Sequence, residues 1–206
     1  MKNKAIAYNA KGENLRKTGK LDGAIASYIS AIEEDENYSE AYFNCALVFQ
    51  DIEKYEESII YLDKVIELNP TDGDAYYSKG CALYKLKRDE DALDFYNKAI
   101  ELDPSFYKAY FNKAIVLYIL GEYEEAITAL DYAIKICPSD DEAYQNKGVI
   151  LKRQGKLEET LICMNKALEL NPHNKKAYYN RNGIILEMEG NLEEAENHYD
   201  ESRSSK

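Results

Sequence analysis

The chain has 206 residues, 45% of them hydrophobic, and a formal net charge of −12. This is an ordinary folded composition, and the acidic balance argues against a protein that tracks nucleic-acid phosphates, which needs a basic stripe. No apolar run approaches the roughly 18 residues that a membrane span requires, and the opening MKNKAIAYNAKGEN has no apolar segment like that of a signal peptide.

The four prolines, Pro70, Pro104, Pro138 and Pro172, lie 34 residues apart. A fixed interval of this size marks a repeat architecture. Other columns keep the same step: Tyr8, Tyr42, Tyr76, Tyr110, Tyr144 and Tyr178; then Gly12, Ala46, Gly80, Ala114 and Gly148. Ala24, Ser58, Ala92, Ala126 and Thr160 form a third column, and Ala31, Val65, Ala99, Ala133 and Ala167 a fourth. The chain therefore reads as one continuous array over residues 1–206, with six repeats at about 5–38, 39–72, 73–106, 107–140, 141–174 and 175–206.

In chain order, the first repeat carries Glu36 in place of the proline and breaks at Gly19. The second ends LDKVIELNP. In the third, Ala75, Tyr76, Gly80, Leu83 and Leu86, then Ala92, Leu93, Tyr96, Ala99 and Ile100, fall at helical spacing on either side of a break near Lys87–Asp89. The fourth, fifth and sixth break at Gly121, Gly155 and Gly190, and glycine readily takes the left-handed conformation that ends a helix. Acids crowd the start of each second helix, as in EYEEA and KLEET, where the helix dipole favours them. Each repeat is thus predicted to be two helices of about 14 residues joined by a short turn. The proline ends the second helix by forcing its predecessor out of helical geometry. Gly80 and Ala92 are expected to face each other where the two helices approach closely, and the tyrosine column to pack on the neighbouring repeat. The sixth repeat holds one extra residue, because Tyr178 and Gly183 are five apart where the siblings have four. It either lengthens the preceding loop or bulges the helix.

Both ends read as polar caps. Glu196 and Arg203 stand in columns that are Ile or Leu elsewhere, and at the start Asn14 replaces a column of Val48, Ala82, Val116 and Ile150 and Thr18 one of Ile52, Leu86 and Leu120, so a complete domain is expected. Charge is uneven. Residues 1–20 carry six Lys/Arg against Glu13 alone, and residues 21–70 carry twelve Asp/Glu against two Lys. Solvated helix faces explain this; a docking surface for a basic segment on the first two repeats would also do so. Cys45, Cys81, Cys137 and Cys163 have no C-x-x-C spacing and read as reduced thiols of a cytoplasmic protein. His173 and His198 are isolated, and no nucleophile motif or phosphate loop is present, so neither catalytic residues, metal ligands nor a cofactor are expected.

The 34-residue period with its aromatic, small, aliphatic and proline columns resembles the tetratricopeptide repeat (TPR) family over nearly the whole chain. The family's usual Trp is Tyr here, and its usual Leu is Lys11, Cys45, Lys79, Lys113 and Lys147, whose lysine stems can lie on apolar surface while the charge stays wet. The resemblance implies an all-α right-handed solenoid with first helices lining a concave face, and a scaffold that binds peptides or proteins. On such a face helical spacing places Phe43, Leu47 and Gln50; Tyr77, Cys81 and Tyr84; and Phe111, Ile115 and Tyr118, beside an asparagine column of Asn44, Asn112, Asn146 and Asn180. Aromatic anchors ringed by amides suit a peptide groove. The carboxylate clamp of chaperone-binding members is incomplete: Asn146 and Lys176 match it, but Phe111 and Ile115 fall where its Lys and Asn belong. The expected function is a non-enzymatic scaffold holding a protein or peptide segment in this groove. A structural role through self-association is the alternative, and RNA recognition by helical repeats is disfavoured by the missing basic lining. No membrane partner is expected.

Overall fold

The computed structural model describes residues 2–205. These form twelve α-helices and no strand: α1 (Lys2–Lys17), α2 (Leu21–Glu34), α3 (Ser39–Asp51), α4 (Tyr55–Leu68), α5 (Gly73–Lys85), α6 (Asp89–Leu102), α7 (Tyr107–Leu120), α8 (Tyr123–Ile136), α9 (Asp141–Arg153), α10 (Leu157–Leu170), α11 (Lys175–Met188) and α12 (Leu192–Ser204). Each predicted repeat is one helix pair. The chain groups into two compact units, one ending at Ala109 and one beginning at Tyr110.

The turns inside the pairs follow the sequence. Gly19, Gly121, Gly155 and Gly190 have φ of 72°, 85°, 73° and 86°. Glu53 and Lys87 hold the same left-handed position with φ of 60° and 62°, at a cost of roughly 1–2 kcal/mol each relative to glycine-like freedom. Between pairs, the residue before each proline is extended, with Asn69 at φ −139°, Asp103 at −134°, Cys137 at −126° and Asn171 at −137°. The side chains of this column close the loop. Asn69, Asp103 and Asn171 accept from the backbone N–H two residues on, at 3.4, 2.9 and 3.1 Å. Asp35 does the same for Asn37 at 3.1 Å, although no proline follows it. Asx geometry thus makes the turn even where proline is missing. Asp72, Asp140 and Asn174 then cap the next first helices through their side-chain oxygens.

Within each pair the helices meet at the small column. A Cβ on Gly80 would lie 2.7 Å from Tyr96 Cε1 and 3.3 Å from the Ala92 carbonyl oxygen. The expected Gly80–Ala92 approach is present, but the tighter neighbour is the Tyr96 ring. Gly12 meets Tyr28, Gly148 meets Met164 and Gly183 meets Tyr199 in the same way. Where the small residue is Ala46, its partner in the same column is Leu62, fully buried in one cluster with it. The bulky column of Tyr28, Leu62, Tyr96, Leu130, Met164 and Tyr199 escapes the sequence reading, although it repeats with the others and its members are all buried.

The tyrosine column has ring partners within its own repeat. Tyr42 lies 6.2 Å from Tyr61, Tyr76 stacks on Phe95 at 6.1 Å and Tyr110 on Tyr132 at 5.2 Å. These contacts are with the second helix of the same repeat, and Tyr42 also lines one cleft with Ile29 and Ile32 of the preceding repeat. Tyr61 and Phe95 stand four residues before the buried Val65 and Ala99, and Tyr132 one before the buried Ala133.

The extra residue of the sixth repeat lies inside α11. The N-caps Asp140 and Asn174 are 34 apart and the C-caps Gln154 and Glu189 are 35 apart. The preceding loop keeps its length, Ala177 and Gly183 both stay buried, and the helix remains unbroken over 14 residues. At the polar ends, Arg203 pairs with Glu196 at 3.0 Å, and Thr18 bonds back to the Asn14 and Leu15 carbonyls. Among the described residues no helix is long and apolar enough to cross a membrane.

Candidate functional site

The predicted groove residues sit on first helices and are all half-buried, which leaves part of each ring or amide to solvent. Their surroundings differ between the two units.

In the first unit, Phe43, Asn44 and Leu47 lie on α3 and Tyr77 and Tyr84 on α5. The polar groups here serve the fold. Asn44 Nδ2 donates to Asn9 Oδ1 at 3.1 Å, and the buried Asn9 amide faces Tyr38 Oη and Glu40 Oε1 at 3.4 and 3.3 Å. Gln50 Nε2 donates to Ser58 Oγ and to the Ser78 carbonyl, at 3.1 and 3.0 Å. The Tyr77 ring packs 5.0 Å from Phe106 and 6.0 Å from Tyr96, so it is partly a core residue. Tyr84 is next to the turn, with the Lys87 ammonium 5.7 Å above its ring.

In the second unit the residues converge. Phe111, Ile115 and Asn146 line a cleft of about 440 Å³ with Gln145, Asn174 and Lys176. Ile115, Tyr118 and Asn146 line a second cleft of about 250 Å³, floored by Ala114, Leu130, Val149 and Ile150. Ile115 and Asn146 belong to both, so the two clefts adjoin. Asn112 shares α7 with Phe111, Ile115 and Tyr118 but lies outside both linings. The Asn146 side-chain oxygen accepts from Gln145 Nε2 at 3.3 Å. Tyr118 Oη accepts from Arg153 Nε at 3.2 Å, which fixes the ring at the rim. At the far end Asp141 accepts from Asn171 and Asn174 at 3.1 and 2.7 Å, and Lys175 and Lys176 supply positive charge. The fourth member of the asparagine column, Asn180, donates to Ser202 Oγ at 2.7 Å and belongs to the α11–α12 contact.

Gln145 and Val149 were missed because they are not aromatic, yet they continue the Phe111 and Ile115 columns by one repeat. Lys152 continues the Tyr118 column, but its ammonium sits over the Tyr199 ring. Burial there brings its pKa down to about 8. The lysines one place before the small column do more than stay wet: Lys79 pairs with Asp63 and Lys147 with Asp131.

The arrangement offers an apolar floor, amide groups and one charged end, a surface for recognition. Models of the tetratricopeptide repeat match residues 73–106, 95–128, 39–72 and 141–174, and a TPR repeat model matches 12–52 and 114–155. No curated protein matches the chain. Among solved structures, the MamA protein is 31% identical over 87% of this chain and 97% of that one, with a TM-score of 0.77. YrrB, described as a TPR protein with an unusual peptide-binding site, is 27% identical over 82% of this chain and 87% of that one, with a TM-score of 0.70. The PilF protein of Pseudomonas aeruginosa, 15% identical over 95% of this chain and 89% of its own, has a TM-score of 0.78 and shows likeness of fold alone. The all-α helix pairs are of the α-solenoid class, and the chain belongs to the tetratricopeptide repeat family.

Proposed function

We propose that this protein is a non-enzymatic scaffold that holds an extended peptide, or a segment of a partner protein, against its first helices. Its fold is that of protein-interaction scaffolds. The observation that carries the finer reading is the pair of adjoining clefts in the second unit, joined through Ile115 and Asn146. An apolar side chain fits over Ile115 and Val149, and Asn146 serves the adjacent peptide backbone, which is how amide ladders read an extended chain. Phe111 and Tyr118 form the walls. Phe43, Asn44, Leu47, Tyr77 and Tyr84 hold the corresponding positions on first helices of the first unit and, with Asn112 of α7, are proposed as secondary contacts. The peptide-binding site ascribed to YrrB supports this use of the fold. The four free cysteines, two of them buried, suit a reducing compartment such as the cytoplasm.

The test is selection of binding peptides from a displayed random library against the whole chain, followed by titration of Ile115→Ala/Asn146→Ala and of Phe111→Ala. Binding at least about tenfold weaker, with a melting temperature close to wild type, is expected, since a few buried anchors dominate such interfaces. Undiminished affinity in folded variants rejects these residues as the site.

A further inference from the structure

A further cleft of the first unit lies between the second helices α2 and α4. It measures about 650 Å³ and is floored by Ile32, Tyr42 and Tyr61. Its edges are Ile29 and Ile60, which are 36% and 67% exposed. Ile29 is not what the repeat usually places there, and Ile60 shares its column with one other isoleucine, the equally exposed Ile162. The Ile29 column continues as Asp63, Asn97, Asp131, Asn165 and Asp200, and the Ile60 column as Asp94, Thr128, Ile162 and Asn197 after Ala26. In later joins the acids of the Ile29 column pair with lysines, Asp63 with Lys79 and Asp131 with Lys147. At the first join the lysine's place is taken by Cys45. A neutral Cys45 removes the need for an acid at position 29. It does not call for a large apolar side chain one-third exposed, beside a second that is two-thirds exposed.

The rim indicates what covers these isoleucines. Of the acids on this border, Glu33 has no ion pair among the described residues, while Asp63 is paired to Lys79 and Glu67 to Lys64, the latter at 2.7 Å. Over residues 21–70 twelve acids face two lysines. Acidic surface around exposed apolar side chains selects an occupant that is apolar on one side and positive at its margins.

We propose that the α2–α4 cleft docks a basic amphipathic segment of a partner protein, with apolar residues over Ile29 and Ile60 and Lys or Arg against Glu33 and the surrounding acidic stretch. This is a second surface, independent of the first-helix clefts.

The probe is a labelled helical peptide of about four turns with Leu at every third and fourth position and Lys elsewhere. Two controls carry Glu for Lys and Ser for Leu. The Lys–Leu peptide is expected to bind the whole chain, more weakly as salt rises, and both controls at least about tenfold more weakly. Ile29→Asp/Ile60→Asp installs residues that sibling repeats already carry, so the fold is retained, as melting and helical content check. It should lose at least about tenfold in affinity for the probe. Ile115→Ala/Asn146→Ala should bind the probe as wild type does, which separates this surface from the first-helix clefts. The proposal is overturned if the Lys–Leu peptide does not bind, if the Glu peptide binds equally, or if the folded double variant binds unchanged. It is also overturned if wild type self-associates in sedimentation and the double variant does not, because the occupant is then a second copy.

Discussion

The join between α2 and α3 and the join between α4 and α5 occupy equivalent places and are built from opposite chemistry. At the second, Lys79 of α5 lies 4.2 Å over the Phe95 ring and reaches Asp63 of α4. At the first, Cys45 of α3 is buried in a cluster against which Tyr61 packs, and Ile29 of α2 stands where the acid would be. A lysine–acid pair at one join and Cys45 with Ile29 at the other thus occupy the same register. The pairs differ in a matched way as well: α3 and α4 meet through Ala46 and Leu62, α5 and α6 through Gly80 and Tyr96. One side of the contact grows as the other shrinks, as dense packing demands.

The largest expected effect comes from breaking the second of these matches. Gly80→Leu drives a side chain into the Tyr96 ring and should cost about 3 kcal/mol, read as a fall in the melting midpoint. Gly80→Ala/Tyr96→Leu imitates the α3–α4 contact and should be more stable than Gly80→Ala alone; equal stability would show that the two columns are not size-matched.

Next is the join itself. Cys45→Lys places a charge opposite Ile29 with no acid to meet it and should lose about 2 kcal/mol in denaturant titration. Adding Ile29→Asp rebuilds the later join and should recover about 1 kcal/mol of that loss, a coupling measured by the double-mutant cycle. No recovery would mean that the two joins are not interchangeable.

A smaller effect separates the joins by pH. Burial pushes the Cys45 thiol up to about 12, only partly offset by its hydrogen bond with Tyr61. The unfolded chain releases this proton near pH 9 and the folded chain retains it. The unfolded state therefore binds fewer protons, and stability falls as pH rises from 9 towards 12, by at most about 1.4 kcal/mol per pH unit. Cys45→Ala should show a shallower alkaline loss than wild type in melts between pH 8.5 and 10.5.

The smallest concerns the turns of these same two repeats, the ones closed without glycine. Lys87→Gly relieves left-handed strain but loosens the unfolded chain, for a net gain of about 0.5 kcal/mol. A loss instead would show that the Lys87 side chain contributes more than its backbone costs.

The period, the helix pairs, the left-handed turns and the proline-marked loops were all legible in the residues, because each depends on backbone geometry that neighbouring residues impose. The candidate site was legible only as a helix face. Spacing brought out Phe111, Ile115, Tyr118 and Asn146, and gave equal weight to Asn44 and Tyr77, whose amide and ring the fold engages with Asn9 and Phe106. Attention to aromatics hid Gln145 and Val149, which stand in the same columns. The extra residue of the sixth repeat could be counted in the sequence but assigned to α11 only from its caps. Partner choice across helices was likewise decided by tertiary structure: that the tyrosine column finds ring partners in its own repeat, that Lys79 finds Asp63, and that Ile29 and Ile60 border one open cleft. A periodic sequence specifies which residues share a helix face. Which of them then meet depends on side-chain volume and charge brought together from different helices, and those distances exist only in the folded chain.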